Sequence, residues 1–400
     1  MRLLMLSSEF PPGPGGIGTH AYEVARHLTR TGWDVVVVTP QDYASEDEIE
    51  AFNARQPFVI SRLRSLRFPP LKALYRWRES SRWMQEWRPH RLLATGDRAI
   101  WVAAALSRSS QVPWLAVGHG TEFGVTDFWA RRLIRWSFEQ ATSTVCVSRY
   151  TWDQMIASGI RPRGGKVIPN GADAERFEVL SEEEIRDFKA QMGLAQANIL
   201  LTVGNVTERK GQDIVVRTLP AILAKAPNTH YLIAGLPTRQ KELVNLATRL
   251  GVARHVHLLG RVDDASLVRL LNCCDLFVMT SRHTSDGDFE GYGIAVVEAA
   301  LCGKPSVVSA DSGLAEAISE GETGFGVREN DEVDTAHRIL GLLLDDGRRL
   351  KMGEAARLRA LNEQSWEKRV RDYNALLSGL GTNQARGRAQ NEPAGESAGL

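Results

Sequence analysis

The sequence predicts an α/β protein with two doubly wound domains. Its 400 residues exceed what a single hydrophobic core usually organises. Short apolar segments alternate with helical patterns from the start of the chain, and the alternation begins again near residue 199, which indicates two parallel sheets. Residues 1–170 carry 22 basic and 15 acidic side chains, whereas the remainder carries 27 and 33, so the two predicted domains would present different surfaces.

The composition is that of an ordinary globular protein, with 43% hydrophobic and 24% charged residues. No apolar run approaches the roughly 20 residues that a membrane-spanning helix needs, and residues 1–6 pass directly into polar Ser7 and Ser8. We therefore expect no signal peptide, no anchor helix and a cytoplasmic location. The four cysteines lie in apolar stretches, which favours reduced thiols over disulfides or a metal site. They are Cys146, Cys273, Cys274 and Cys302.

The first half begins with a buried parallel strand at residues 2–6, which is followed by an open loop rich in glycine and proline. A helical pattern follows the loop, and a second strand follows at residues 34–39. Backbone N–H groups at the start of that helix would bind an anion. Gly13, Gly15 and Gly18 match the dinucleotide fingerprint and leave an NAD-dependent oxidoreductase open as an alternative, although the prolines make this connection longer than a dinucleotide loop.

Residues 62–91 combine nine basic residues with two acidic ones, and five aromatic residues are interleaved with them. Residues 128–136 have the same character on another predicted helix. Surfaces of this kind bind anionic lipid, to which each basic side chain contributes about 1 kcal/mol. The alternative is a solvated helix whose aromatic rings pack inward, and both interpretations stay open. No nucleic-acid-binding motif accompanies the charge, so we do not expect nucleic acid as a partner.

A histidine between two glycines follows the predicted strand at residues 114–117. His119 would therefore lie at the carboxyl end of that strand, where open α/β sheets bind ligands, and we favour a functional role over a structural one. The other elements predicted in this half are strands at residues 92–95 and 144–147, helices at 99–106 and 128–140, and a helix capped by Ser148.

The second array of strands and helices follows a strand and turn at residues 166–173, where we place the domain boundary. Its first loop carries Arg209 and Lys210 directly before a predicted helix. A diphosphate is well bound by the compact positive charge of a lysine together with the paired N–H donors of an arginine guanidinium. The alternative is an exposed helix N-terminus with ordinary surface cations. The elements predicted here are strands at residues 199–203, 231–234, 255–259, 276–280 and 306–309 and helices at 212–226, 241–250 and 265–273.

Residues 289–303 hold two glutamates eight positions apart, Glu290 and Glu298. Gly291 and Gly293 follow the first glutamate and precede a small apolar run, which predicts a glycine-containing loop that opens a short buried helix. Glu290 would lie at the start of this helix and Glu298 about two turns later on nearly the same face. Two such carboxylates suit a ligand with two sets of hydroxyls, such as a nucleotide-sugar, and the alternative is a structural salt bridge.

Two other segments of the second half bear on metal binding and on disorder. Asp286 and Asp288 suggest a divalent cation, but no histidine or further carboxylate cluster completes a site, so we interpret the segment as a turn and expect no metal. Residues 381–400 show no apolar period, which predicts a disordered tail.

Six short segments occur in the order that is typical of the retaining glycosyltransferases of family four, and the chain resembles that family over about residues 1–378. They are Gly-Gly-Ile-Gly (15–18), Gly-His-Gly (118–120), Ile-Pro-Asn-Gly (168–171), Arg-Lys-Gly (209–211), Leu-Gly-Arg-Val (259–262) and Glu-x7-Glu (290–298). The approach to Glu290 is also similar to that of bacterial phosphatidylinositol mannoside mannosyltransferases.

The resemblance implies the GT-B fold, in which two Rossmann-like domains face a central cleft and a last helix crosses back onto the first domain. The implied segments are an N-terminal acceptor-side domain at 1–172, a nucleotide-sugar-binding domain at 173–362, the crossover helix at 363–380 and the tail at 381–400. The implied activity is a metal-independent transfer, with retention, of a mannose- or glucose-type hexose from a GDP- or UDP-sugar co-substrate to a glycan or lipid acceptor. Attachment of this cytoplasmic protein to the inner face of the plasma membrane is a separate hypothesis, which rests on residues 62–91 and 128–136.

The resemblance also implies roles for individual residues. The nucleotide and diphosphate would contact the N–H groups of Gly15 and Gly16, the cations Arg209 and Lys210, the backbone of Val262 and the carboxylate of Glu298. The transferred sugar would contact His119, Glu290 and the N–H groups of Tyr292, Gly293 and Ile294. Two positions depart from the family: Asn205 replaces an arginine expected on the diphosphate, and Ala315 replaces a frequent proline. Because of Asn205, a nucleotide-sugar-binding protein with weak or lost catalysis is an alternative.

Overall fold

The computed structural model describes residues 1–40, 44–64 and 69–380. Over these residues it confirms the predicted fold class, because two parallel sheets of seven and six strands are each covered by helices. The predicted tail at residues 381–400 lies outside the described residues, as do Arg67 and Phe68 of the basic and aromatic stretch.

The first sheet is parallel throughout. Its strands are β1 (Arg2–Ser7), β2 (Asp34–Pro40), β3 (Val59–Leu63), β4 (Arg91–Thr95), β5 (Trp114–Gly118), β6 (Ser143–Cys146) and β7 (Gly165–Val167). Their order across the sheet is β3-β2-β1-β4-β5-β6-β7. The order reverses between β1 and β4, and such a reversal opens a crevice at the carboxyl ends of the strands. The loops after β1, β4 and β5 all leave this edge.

Helices cover both faces of the first sheet. They are α1 (Gly16–Arg30), α2 (Glu46–Ala54), α3 (Pro69–Trp87), α4 (Asp97–Ser110), α5 (Phe128–Gln140) and α6 (Arg149–Ala157). Along β1, Leu3 and Met5 pack on the side of α1, whereas Leu4 and Leu6 pack on the side of α4. Because both faces are buried, the strand reads as a continuous apolar run rather than an alternating one.

The second sheet repeats this plan. Its strands are β8 (Asn198–Val203), β9 (Thr229–Ala234), β10 (Val256–Gly260), β11 (Leu276–Met279), β12 (Ser306–Ser309) and β13 (Gly324–Val327), in the order β10-β9-β8-β11-β12-β13. The remaining helices are α7 (Glu182–Gln191), α8 (Gln212–Leu223), α9 (Gln240–Arg249), α10 (Asp264–Cys273), α11 (Ile294–Leu301), α12 (Glu332–Leu343), α13 (Asp346–Glu363) and α14 (Trp366–Gly379). Two 3-10 helices lie at Ala253–His255 and Gly313–Ala317.

The last helix, α14, follows the second sheet in sequence but packs against α1 of the first. The hydroxyl of Tyr373 lies 2.8 Å from Nε2 of His20, and the indole N–H of Trp33 donates to Asn374 at 2.8 Å. Trp366, at the start of α14, is fully buried. These contacts tie the end of the described chain to the first sheet.

Two short edge strands, β3 and β13, were not predicted from the sequence. β3 lies at the margin of the first sheet and is half exposed, so its residues carry neither an apolar run nor a clean alternation. β13 has only four residues, and two of them are glycines, which are depleted in strands. The four cysteines are free thiols and all are buried, as the sequence analysis expected.

Candidate active site

The helix at the centre of the site, α11, begins at Ile294 after a glycine cap. Gly293 has a φ of +84°, a left-handed conformation that favours glycine. The first N–H groups of α11 have no partner within the helix and point toward the cleft edge of the sheet. Glu290 lies four residues before the helix, in the loop, so the expectation that Glu290 and Glu298 share one helical face is wrong. Because α11 starts only at Ile294, the helical repeat does not determine the position of Glu290 relative to Glu298.

Glu290 lies instead in a charged cluster with residues of the loop before α8. The ammonium Nζ of Lys210 is 2.7 Å from the Glu290 carboxylate, and Arg209 contacts the same carboxylate. The Nε of Arg209 also lies 2.9 Å from Asp288. Although burial alone would raise the pKa of Glu290, the two cations lower it to about 2. The glutamate is therefore ionised and holds both cations at one point of the cleft.

Glu298, on α11, has a different environment. Among the described residues its side chain makes no hydrogen bond and no ion pair, so the alternative of a structural salt bridge is not found for this carboxylate. Burial raises the pKa of Glu298 to about 7, with the more distant charge of Arg176 opposing that effect. A partly exposed, unpaired carboxylate on the helix that lines the cleft can accept hydrogen bonds from a ligand.

His119 lies at the carboxyl end of β5, where the sequence analysis placed it. Its Nε2 is 2.7 Å from the hydroxyl oxygen of Thr95 at the end of β4, and its ring packs edge-on against His20 at 4.8 Å. Burial lowers the pKa of His119 to about 3, so the imidazole is neutral at physiological pH. A neutral His119 can donate or accept a hydrogen bond but carries no charge into the cleft.

Glu122 holds the backbone of the His119 loop, and the sequence analysis did not single it out. Its carboxylate accepts the N–H groups of His119 at 3.0 Å and of Gly120 at 2.9 Å, and the side chain is only 2% exposed. Burial raises the pKa of Glu122 to about 7. The sequence offered one clue to this role, because Glu122 follows His119 by three residues in the loop after β5 and its carboxylate can reach back to the N–H groups of that loop.

The glycine loop after β1 leads directly into α1, as predicted. Gly15 precedes the helix with a φ of +146°, and a Cβ at this position would collide with the carboxylate of Glu9. A Cβ on Gly16 would meet no neighbouring atom within 4 Å. Burial raises the pKa of Glu9, and the backbone N–H of Gly18 opposes this effect. At Gly15 the positive φ is what favours glycine, while Gly16 leaves the first turn of α1 open to a ligand.

Asn205 lies in the loop after β8 and Val262 in the loop after β10, and these two strands flank β9 in the second sheet. The amide oxygen of Asn205 accepts the N–H of Leu236 at 3.0 Å, which joins the loop after β8 to the loop after β9. Val262 is half-buried in the loop after β10 and packs against the core that includes α11. Asn205 therefore has a structural task that an arginine at this position would not perform in the same way.

The loops that carry His119 and Glu290 touch each other, although they belong to different sheets. Phe289 is 3% exposed and packs into the core of the first sheet, and a Cβ on Gly120 would lie 2.8 Å from its ring. A Cβ on Gly291 would collide with the carbonyl oxygen of His119. The structure thus brings the predicted acceptor-side and donor-side residues to one cleft.

Asp286 and Asp288 lie in a turn, as predicted, and Asp288 pairs with Arg209. Within residues 1–40, 44–64 and 69–380, no group of three or more histidine, cysteine or acidic side chains is arranged to hold a metal ion. Over the same part of the chain, no helix combines the length and the apolar character needed to cross a bilayer.

The basic and aromatic segments form part of the surface of one helical layer, because α3 and α5 both flank α4. Trp83, Trp87 and Trp136 pack inward against the core, which agrees with the solvated-helix interpretation for these rings. Phe128 and Trp129, by contrast, are 66% and 73% exposed beside the arginines of α5. The two interpretations therefore apply to different aromatic residues of the same segments.

Two family models match the chain. The model described as Glycosyltransferase Family 4 matches residues 14–176, and the model described as Glycosyl transferases group 1 matches residues 184–359. A GDP-mannose-dependent alpha-(1-6)-phosphatidylinositol monomannoside mannosyltransferase of Mycolicibacterium smegmatis is 30% identical to this chain, covering 94% of it and 98% of the relative. A glycogen synthase of Mycobacterium tuberculosis is 27% identical and covers 92% of each chain.

Solved structures show the same architecture. HepE of Anabaena, in complex with UDP and glucose, superposes with a TM-score of 0.81 at 22% identity, covering 95% of this chain and 100% of that chain. Sucrose-phosphate synthase from Thermosynechococcus elongatus superposes with a TM-score of 0.82 at 20% identity, covering 97% and 100%. At this level of identity the likeness shows the fold, and it agrees with the expected GT-B arrangement.

Proposed function

The chain belongs to glycosyltransferase family 4, and from this premise we propose that it transfers a hexose, with retention, from a nucleoside-diphosphate sugar to an acceptor hydroxyl. The observation that carries the proposal is the cluster of Arg209, Lys210 and Glu290 at the edge where α8 and α11 begin. In this proposal residues 1–172 form the acceptor-side domain, 173–362 the donor domain and 363–380 the crossover helix.

The cluster supplies what a departing diphosphate needs. Arg209 and Lys210 are already held together by Glu290, so their positive charge is fixed before the reaction and needs no reorganisation during it. The diphosphate competes with Glu290 for these cations, and Glu290 is then free to accept hydroxyls of the donor sugar. The N–H groups of Tyr292 and Gly293 in the loop before α11, and that of Ile294 at its first residue, complete the sugar's surroundings.

The remaining donor contacts come from both sheets. The unpaired carboxylate of Glu298 accepts the ribose hydroxyls, and the backbone of Val262 contacts the base. From the first sheet, the N–H groups of Gly15 and Gly16 donate to the donor phosphate across the cleft. The two sheets thus enclose one ligand, which excludes water from the reacting sugar.

His119 contacts the transferred sugar as a neutral hydrogen-bonding group. Its low pKa and its hydrogen bond to Thr95 argue against a role as general acid or base at neutral pH. The bond from the anomeric carbon to the diphosphate breaks while the bond to the acceptor oxygen forms on the same face. The proton of the acceptor hydroxyl passes to the leaving phosphate oxygen, so no side-chain nucleophile is required.

The family assignment removes the alternative of an NAD-dependent oxidoreductase. The alternative of binding with weak or lost catalysis rested on Asn205. Arg209 lies with Lys210 on Glu290 and supplies a guanidinium to the same cluster. We therefore propose that Arg209 takes over the charge that Asn205 lacks and that the protein is catalytically competent.

The donor is a GDP- or UDP-linked hexose and the acceptor a lipid-linked or cell-envelope glycan. GDP-mannose and a phosphatidylinositol monomannoside acceptor are supported by the name of the M. smegmatis relative, and UDP with glucose by the ligands of HepE. A lipid-linked acceptor is reached from the inner face of the plasma membrane. The exposed Phe128 and Trp129, beside Arg131 and Arg132 on α5, suit an anionic lipid surface there.

The donor site is tested by thermal unfolding of the purified protein with a panel of GDP- and UDP-sugars, the free nucleotides and NAD. We expect one nucleotide-sugar to raise the melting temperature, and the variant Glu298→Gln to reduce that increase. Stabilisation by NAD alone, or by no nucleotide, would refute the site assignment.

A further inference from the structure

A carboxylate from the second domain caps α6, a helix that packs on the first sheet. Glu316, in the 3-10 helix Gly313–Ala317, accepts the N–H of Arg149 at 2.9 Å with one oxygen and the N–H of Tyr150 at 2.7 Å with the other. These are the first two N–H groups of α6, which have no partner within the helix. The third is satisfied locally, because Ser148 accepts the N–H of Thr151 at 2.9 Å.

The 3-10 helix that carries Glu316 also holds the backbone of Glu290. The N–H of Gly313 donates to the carbonyl oxygen of Glu290 at 3.0 Å, and a Cβ on Gly313 would collide with the carbonyl oxygen of Gly291. From the other side, Arg359 of α13 donates to the carbonyl oxygens of Glu316 and Ala317. The 3-10 helix is therefore fixed within the second domain and fixes the Glu290 loop in turn.

Two side chains of the first turn of α6 also contact the Glu290 loop. The hydroxyl of Thr151 donates to the carbonyl oxygen of Gly291 at 3.2 Å, and the ring of Tyr150 packs edge-on against Phe289 at 5.5 Å. Three segments thus meet in a triangle: the start of α6, the Glu290 loop and the 3-10 helix. Of these three segments, α6 packs on the first sheet. The carboxylate of Glu316 joins α6 to the second domain at the N-terminus of the helix, where the helix dipole is positive.

From these contacts we propose that Glu316 is a positioning residue for the transfer reaction. It touches neither the donor nor the acceptor in the proposed site. By capping α6 across the two domains, it stabilises the arrangement in which the His119 loop lies against the Glu290 loop. The inference rests on the proposed glycosyl transfer for its effect on rate, but the cap itself is independent of the reaction.

Ala315 fits this role. Its N–H donates to the carbonyl oxygen of Ser312 at 3.3 Å, a hydrogen bond that a proline at this position could not make. The departure from the family therefore adds a hydrogen bond inside the 3-10 helix that carries Glu316.

The test compares Glu316→Gln with Glu320→Gln by hydrogen exchange and by steady-state kinetics. Glu320 is a matched control, because it accepts the N–H of Gly326 within the second sheet and is exposed. In Glu316→Gln we expect faster exchange of the Arg149 and Tyr150 amides and a transfer kcat reduced by about tenfold or more. The nucleotide affinity and the melting temperature should stay close to those of the wild type. Glu316→Asp should recover part of the rate, and Glu320→Gln should behave as the wild type.

Unchanged exchange at Arg149 and Tyr150 would overturn the cap. Faster exchange with an unchanged transfer rate would overturn the positioning role. An equal loss of nucleotide affinity would overturn it too, because it would show a general structural defect. If the wild type transfers no hexose from any donor, the proposed function fails, while the exchange measurement still decides whether Glu316 joins the two domains.

Discussion

The ammonium of Lys210 lies 2.7 Å from the carboxylate of Glu290, so the loop before α8 and the loop before α11 are joined by a largely buried ion pair. Arg209 binds the same carboxylate. In the proposed reaction this glutamate holds two cations in place and then releases them to the diphosphate of the donor. The predictions below follow from that arrangement and from the environments of the other carboxylates.

Lys210→Ala removes one of the two cations that would stabilise the leaving diphosphate. We expect kcat for transfer to fall by about 100-fold or more, because electrostatic stabilisation of this kind acts mainly in the transition state. Glu290 keeps Arg209 as a partner, so the fold should persist. Initial rates and thermal unfolding measure both effects. The control is Lys225→Ala, at an exposed position just after the far end of α8; near wild-type rates in Lys210→Ala would refute the role.

Glu298→Gln replaces the unpaired carboxylate of α11 with a neutral isostere. We expect the affinity for the donor nucleotide to fall by about tenfold, since the variant loses a charged acceptor for the ribose hydroxyls. Stability should not fall at pH 8, because burial disfavours the charge that the substitution removes. Titration calorimetry with the nucleotide and chemical denaturation measure the two effects. A variant that loses stability but keeps its nucleotide affinity would show that Glu298 is structural.

Glu122→Gln tests the carboxyl group that holds the His119 loop. The pKa of Glu122 is raised to about 7 in the folded protein from 4.5, so its contribution to stability is full below pH 4.5 and is lost as the pH rises through 7. Glutamine does not titrate. Relative to the variant, the wild type should therefore lose up to about 3 kcal/mol of unfolding free energy between pH 4.5 and 8. Denaturant titrations at several pH values measure the difference, and parallel curves would contradict it.

Local sequence patterns predicted most of the strands and helices and the loops before α8 and α11, because alternation of apolar runs with glycine turns is a local property. They could not predict which partner each charged side chain takes. Glu290 was expected at the start of a helix and on nearly the same face as Glu298, but the helix begins only after the left-handed Gly293. The cap that Glu316 provides joins residues 166 and 167 positions apart, and no local pattern contains such information.

The surface of α5 gives a prediction about lipid. Reversing two charges in Arg131→Glu with Arg132→Glu should weaken binding to vesicles that contain anionic phospholipid by more than tenfold at low salt, since each basic residue contributes about 1 kcal/mol. Co-sedimentation measures it, with vesicles of phosphatidylcholine alone as the negative control. Arg249→Glu, exposed on α9 of the second sheet, is the matched variant and should bind as the wild type does. If neither the wild type nor the variants sediment with anionic vesicles, α5 is not a lipid-binding surface.

The most direct test of the central claim is NMR spectroscopy of the transferred sugar. The protein is incubated with GDP- and UDP-hexoses labelled with ¹³C at the anomeric carbon and with a membrane-lipid extract as acceptor. We predict that one donor yields an α-linked product together with its free nucleoside diphosphate, and that Lys210→Ala yields neither. A β-linked product would contradict retention, and a wild-type protein that transfers no hexose from any donor would contradict the proposed function itself.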